Sequence, residues 1–168
     1  DLSQDLFASL PLNASYSEAL DILTGRFGTP QRWGNMDIFD TVVFDEVAQR
    51  QRLATIHTGN RLARAALVIN VDSSSAGTVM DVFDRVKRRM IDKYGTPGDV
   101  YERGMATTSL AADVREGTFI RNYEWDLGGR YLRLALPRRL DGRLTVEVVT
   151  ADSFPPIQEN TWGLERIN

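Results

Sequence analysis

The sequence predicts an α+β fold: two pseudo-repeated α-β3 units, with helices packed on one face of an antiparallel sheet of about six strands. Three observations predict it. The phrase Phe27-Gly28-Thr29-Pro30 returns as Tyr94-Gly95-Thr96-Pro97, 67 residues later, and self-similarity at a fixed spacing marks a repeated structural unit. Each copy closes a stretch with helical apolar spacing. Each is followed by three strand-like runs joined by turns too short for parallel pairing, which needs long crossovers. The units divide the chain into a first repeat with an N-terminal arm (1–72), a second repeat with an inserted loop at 98–116 (73–152), and a tail that packs on the body (153–168).

In order, Leu2, Leu6, Phe7 and Leu10 precede Pro11 and predict a short helix or docked arm. Ser15-Tyr16-Ser17-Glu18 has capping-box spacing, in which the serine hydroxyl accepts from the Glu18 amide and the glutamate reaches back. Ala19, Leu20, Leu23 and Phe27 then recur on one helical face, and Gly28 and Pro30 stop the helix, placing it at 16–27. The second helix begins after Ser73-Ser74-Ser75. Its apolar stripe is Val79, Val82, Phe83, Val86, Met90 and Tyr94. Asp81 and Asp84 stand early and Lys87, Arg88, Arg89 and Lys93 late, an order that complements the helix dipole. Strand runs are expected at 39–48, 52–58 and 63–71, and again at 117–126, 130–137 and 143–150. Gly59-Asn60, Gly128-Gly129 and Asp141-Gly142 supply hairpin turns. The second unit carries about 12 extra residues between its Gly-Thr-Pro and its first strand run, including a short helix at 109–115. Insertions of this kind are where a repeated scaffold acquires function; the alternative is a flap that covers the sheet.

A chain of 168 residues with 42% hydrophobic and 26% charged residues is large enough to fold on its own core without metal or disulfide. The net charge of −3 gives no basic footprint for nucleic acid. The first 84 residues carry 6 basic and 11 acidic side chains, the remainder 14 and 12, which reads as a polar molecule with an acidic first half, the alternative being an oriented partner surface. The absence of cysteine excludes disulfides, thiol catalysis and thiolate metal sites. No apolar run reaches the length of a membrane-spanning helix. The chain starts at Asp1, the expectation for a processed or internal fragment.

Catalytic patterns are not found. His57 is the single histidine, and zinc or iron sites use several ligands at set spacing. No Gly-x-Ser-x-Gly elbow, phosphate loop or dinucleotide fingerprint occurs. No cofactor and no metal site is therefore expected. Asp45 and Glu46 are adjacent, so on a strand they point to opposite faces.

Strand alternation sorts the faces. Leu132, Leu134 and Leu136, with Leu144, Val146 and Val148, should meet the helices, while Tyr131, Arg133, Thr145 and Glu147 lie on the other side. Ala65, Leu67, Ile69 and Val71 alternate with Arg64, Ala66, Val68 and Asn70, a strand apolar on nearly both sides and hence central. Phe119, Arg121, Tyr123 and Trp125 share one face, either core or an open surface. Aromatic and arginine groups on an open face are the residue types that anchor protein interfaces. The candidate partner-binding residues are therefore Tyr101, Arg103, Tyr131 and Arg133, with Arg121, Tyr123 and Trp125 if their face is open.

The stretch from Phe7 to Pro30, with Ser15, Ala19, Leu20, Leu23, Gly28 and Pro30, and more loosely Val86, Met90, Gly95 and Pro97 in the second copy, resembles the tandem-repeat β-lactamase-inhibitory protein fold and related small outer-membrane assembly lipoproteins of bacteria. The chain has neither the cysteines of the secreted inhibitor nor a lipobox, so inhibition itself is not carried over. What the resemblance implies is a periplasmic or secreted location and a sheet surface used for protein contact. The expected function is a non-catalytic protein-binding module acting through the open sheet face and the 98–116 loop. The alternatives are a small enzyme or ligand carrier with a pocket between helices and sheet, and a self-associating structural envelope component.

Overall fold

The computed structural model describes residues 5–71, 75–139 and 143–154. In chain order the elements are α1 (Leu6–Ser9), α2 (Tyr16–Phe27), β1 (Gln31–Trp33), β2 (Met36–Asp40), β3 (Gln51–Thr58), β4 (Arg61–Asn70), α3 (Ala76–Tyr94), β5 (Asp99–Arg103), α4 (Leu110–Glu116), β6 (Ile120–Asp126), β7 (Tyr131–Ala135) and β8 (Thr145–Ala151). The eight strands form one antiparallel sheet in the order β1-β2-β3-β4-β8-β7-β6-β5. The α+β class is as expected, and β4 is central. Eight strands replace the expected six.

The two additional strands, β1 and β5, are the outermost ones. They are short, and their side chains are exposed or half-buried along their length, so they lack the apolar alternation that reveals a half-buried strand. In element order, α2 is followed by β1–β4 and α3 by β5–β8, and the two sets of four meet where β4 pairs with β8, Leu67 opposite Val148.

Both long helices are delimited by the residues that the sequence marks. Ser15 Oγ accepts from the Glu18 amide at 3.3 Å and Ser75 Oγ from the Thr78 amide at 3.4 Å, each satisfying one of the orphan N–H groups of a first turn. The helices end at Gly28 (φ 89°, ψ −174°) and Gly95 (φ 84°, ψ −167°). That backbone region is almost closed to residues with a Cβ, which explains why the same glycine closes both.

The helices lie on one face of the sheet. Val79, Val82, Phe83, Val86 and Met90 of α3 are buried with Leu67 and Ile69 of β4, Leu132 and Leu134 of β7, and Val146 and Val148 of β8. Leu23 of α2 packs with Leu6 and Leu10 on Phe39, Leu53 and Ala65. Each such side chain contributes roughly 1.5–3 kcal/mol when removed from water. The α3 core also takes in Phe7, Phe44 and Val47, so residues from both ends of the sequence share it.

Two expectations are corrected, and a third that stood open between core and surface is decided. The run 39–48 is strand only to Asp40; beyond it the buried Gln51 side chain supplies the hydrogen bonds that a partner strand would have given. Its Oε1 accepts from the amides of Val43 (2.9 Å) and Phe44 (3.0 Å), and its Nε2 donates to the carbonyls of Phe44 (2.9 Å) and Val47 (3.4 Å). The 98–116 segment is not a loop but β5, a connection and α4, so the extra residues of the second set sit between β5 and β6. The row Phe119, Tyr123, Trp125 belongs to the α3 core, which closes the face that would have exposed Tyr123 and Trp125. The turn at Asp141-Gly142, Ser73 and Ser74, and the tail from residue 155 on lie outside the described residues.

Candidate binding face

The face turned away from the helices is built from alternate residues of all eight strands. Across the register, Ile38 stands beside Ala54, Ala54 beside Ala66, Ala66 beside Val149, Val149 beside Arg133, Arg133 beside Glu124, and Glu124 beside Asp99. Its first half is apolar: Met36, Ala54, Ile56, Ala66, Val68 and Val149 form a second cluster, flanked by Ile38 and Phe154.

Its second half holds buried charge. Arg133 is 2% exposed and donates to Glu124 Oε2 at 2.7 Å, with its guanidinium 4.5 Å from the centre of the Phe154 ring. Burial lowers the Arg133 pKa, and the hydrogen bond and charge of Glu124 oppose that shift. Glu147, fully buried, accepts from Thr145 Oγ1 at 2.8 Å and from Arg139 at 3.2 Å. Buried charges survive only when paired in this way.

The seven sequence-predicted residues separate accordingly. Tyr101 and Arg103 lie on β5, on this face, with Arg103 exposed and Tyr101 half-buried. Tyr131 is half-buried with its ring 6.2 Å from that of Phe154. Arg133 is on the expected face but is buried, so it is part of the fold and not an exposed anchor. Arg121 works as a staple: it donates to the carbonyls of Arg103 (3.0 Å) and Gly104 (2.9 Å), and stacks 4.1 Å from the Phe119 ring. Tyr123 donates to Glu102 Oε2 at 2.5 Å, and burial with that carboxylate raises the phenol pKa far above its usual range. Trp125 Nε1 donates to the Gly95 carbonyl at 2.7 Å, tying β6 to the end of α3. The structure thus brings Tyr101 and Arg103 together at one edge and places the others within the framework.

The connection from β5 to α4 is equally well fixed. Buried Asp113 accepts from the Thr107 amide at 2.7 Å and its hydroxyl at 2.9 Å. Gly104 (φ 75°) passes so close to β6 that a Cβ there would stand 1.9 Å from the Thr118 carbonyl oxygen.

Sequence reasoning missed a groove at the opposite edge. Ile38, Ala54 and Val68 line its floor, Trp33 one wall, and Arg52, Arg139 and Arg143 its charged end; its volume is about 80 Å³, and it opens to solvent. Trp33 and Met36 flank Gly34-Asn35, and Gly34 has a positive φ of 57°. That tight-turn signature between apolar residues was the available signal for the β1–β2 hairpin.

His57, the single histidine of the sequence, lies on β3. Its side chain is 6% exposed, beside Asp37 at 3.5 Å and Thr55 Oγ1 at 3.4 Å, with the edge of its ring against Tyr16 at 4.5 Å. Both polar neighbours meet the same ring nitrogen, Nε2. A relay for nucleophilic catalysis needs one partner on each nitrogen, and Nδ1 is buried without a hydrogen-bond partner among the described residues. Among the described residues no group of three or more His, Asp or Glu is placed to hold a metal ion, and no helix is long and apolar enough to cross a membrane. No family model, no curated protein and no solved structure matches the chain.

Proposed function

We propose that the chain is a non-catalytic protein-binding module of the bacterial cell envelope or secreted fraction, built on a duplicated α-β unit. It recognises its partner through the rims of the sheet face opposite the helices and through the 98–116 segment. The observation that carries this reading is where large apolar side chains stay in water. Trp33 is 61%, Val100 50% and Met105 85% exposed, on or just beyond the outermost strands, whereas Val42 (66%) follows β2 and Ile22 (41%) lies on α2.

Among the described residues those strands have no ladder partner on their outer side, and an extended partner segment adds to such an edge by strand pairing. Arg103 and Tyr101 stand on β5 in the same stretch. These are the residue types that dominate interface hot spots once water is excluded around them. The staples at Arg121 and Asp113 hold the segment ready, so little ordering entropy is lost on binding. The placement in the envelope or outside the cell rests on the resemblance of the helix caps alone.

The test is chemical cross-linking in extracts with the wild type, a Tyr101→Ala/Arg103→Glu double variant, and Arg85→Glu on the exposed side of α3 as control. We expect a defined partner with the wild type and the control, lost with the double variant. The same partner on all three would remove β5 from the interface. Light scattering over a range of concentrations separates this reading from self-association, for which the mass would rise with concentration.

A further inference from the structure

We propose that the groove beside Trp33 is a binding site for a single-chain carboxylate, a fatty-acid-like anion whose head meets Arg52 and whose chain lies over Ile38, Ala54 and Val68. The inference does not rest on the β5 part of the protein-binding reading; the two meet only at Trp33, which a partner at the β1 rim would also cover.

Arg52 carries the argument. It makes no hydrogen bond or ion pair among the described residues, and its Nε is buried without a partner. A guanidinium is a fork of five donors; the Arg52 residue is half-buried, so its buried Nε–H lacks a partner while water reaches the rest of the fork, and a carboxylate in the groove would supply charge-assisted hydrogen bonds to it. Burial and the charges of Arg50, Arg143 and Arg139 lower its pKa, with Asp40 opposing them. The site is thus a pocket of positive potential that an arriving anion stabilises. Asp40 pairs with Arg50 at 2.9 Å and Glu147 with Arg139 at 3.2 Å.

The chain-binding part follows from the register. Ile38 stands beside Ala54, and Val68 beside Arg52, across β2, β3 and β4, and Ala54 is shorter than the side chains around it in the groove lining, which gives the floor its depth. Trp33, at the end of β1, keeps most of its surface in water. An aliphatic chain along the floor would cover that indole and gain the transfer free energy of each methylene it buries.

The probe is decanoate, titrated by calorimetry and by amide chemical shifts. Acetate serves as the head without a chain, and decyltrimethylammonium as the chain with the opposite charge. We expect saturable binding of decanoate, with the largest shifts at Trp33, Ile38, Ala54 and Val68, and none from acetate over the same range. Decyltrimethylammonium should bind more weakly by about tenfold or more. Arg52→Gln should weaken decanoate by a similar factor, Arg52→Lys by less, and Ile38→Asp should abolish binding. Melting temperatures within a few degrees of wild type certify that the variants fold. Equal affinity of the wild type and Arg52→Gln, equal affinity for the two amphiphiles, or shifts centred elsewhere would each overturn the proposal. So would an absence of binding accompanied by a concentration-dependent rise in mass, which would assign the groove to a second copy of the chain.

Discussion

At the scale of single residues, the molecule places ionisable groups where water is scarce, and each leaves a measurable trace. Burial lowers the pKa of His57 below its ordinary value near 6.5; the charge of Asp37 opposes this and that of Arg32 adds to it. Below that ordinary value the unfolded chain holds a proton on His57 that the folded chain resists. Stability therefore falls as pH drops from about 6.5 toward the depressed folded pKa, and is insensitive to this group at higher pH. In urea titrations between about pH 7.5 and pH 5, the wild type should lose more stability than His57→Gln; equal losses would mean that His57 is not desolvated. Arg133 tests the other half of the sheet. Removing it in Arg133→Met leaves the Glu124 carboxylate without its ion pair, at a cost of about 3–5 kcal/mol, whereas Glu124→Gln keeps a hydrogen-bond acceptor and should cost less. A cost for Arg133→Met below about 1 kcal/mol, the worth of an exposed pair, would contradict the burial seen here. Strand alternation read the side of the sheet on which Arg133 lies, but alternation separates two faces without saying whether either is wet. That is why a residue that looked like an anchor is framework.

At the scale of elements, the repeated Gly-Thr-Pro phrase is the most legible feature of the chain because it encodes a backbone conformation. Gly28 and Gly95 both sit at φ near 85–90° with extended ψ, and nothing lies within 4 Å of a Cβ built on either. Substitution is therefore purely a question of backbone strain. Gly95→Ala and Gly28→Ala should each destabilise by about 1–3 kcal/mol, read as a lower midpoint in denaturant with an unchanged slope. Neutral substitutions would show that the helix ends relax without glycine. Helix starts were legible for a similar reason: one serine and its hydrogen bond decide the matter locally. The edge strands were not, because β1 and β5 are held by pairing with β2 and β6 and not by burying a face of their own. The end of β2 was hidden too. It depends on Gln51, eleven residues from the strand's last residue, and no local propensity announces that one side chain replaces a strand. The groove was illegible for the same reason, since Trp33, Arg52 and Arg143 meet only through the register of β1 to β4 and β8.

At the scale of the whole molecule, the question is whether the two sets of four strands are two folding units or one. The β4–β8 pairing runs over seven residue pairs, from Arg64 opposite Ala151 to Asn70 opposite Thr145. The α3 core spans it, uniting Leu67 and Ile69 of the first set with Leu132, Leu134, Val146 and Val148 of the second. Neither set could keep its half of that core dry alone, so opening one should open the other. Leu134→Ala provides the test, because Leu134 is fully buried on β7, with β8 between it and β4 in the sheet. The substitution should cost about 2–5 kcal/mol through lost burial and the cavity left behind. In native-state hydrogen exchange, that loss should appear equally at the slowest amides of β3 and of β7, because both exchange only through the same global opening. If β7 alone lost protection while β3 kept it, the sets would be independent units and the shared core would be only a contact. A groove on β1 to β4 and an interface on β5 could then not influence one another. If both strands lose the same amount, the sheet is one cooperative body. A ligand bound at either edge must then stabilise the whole of it by the same mass-action term.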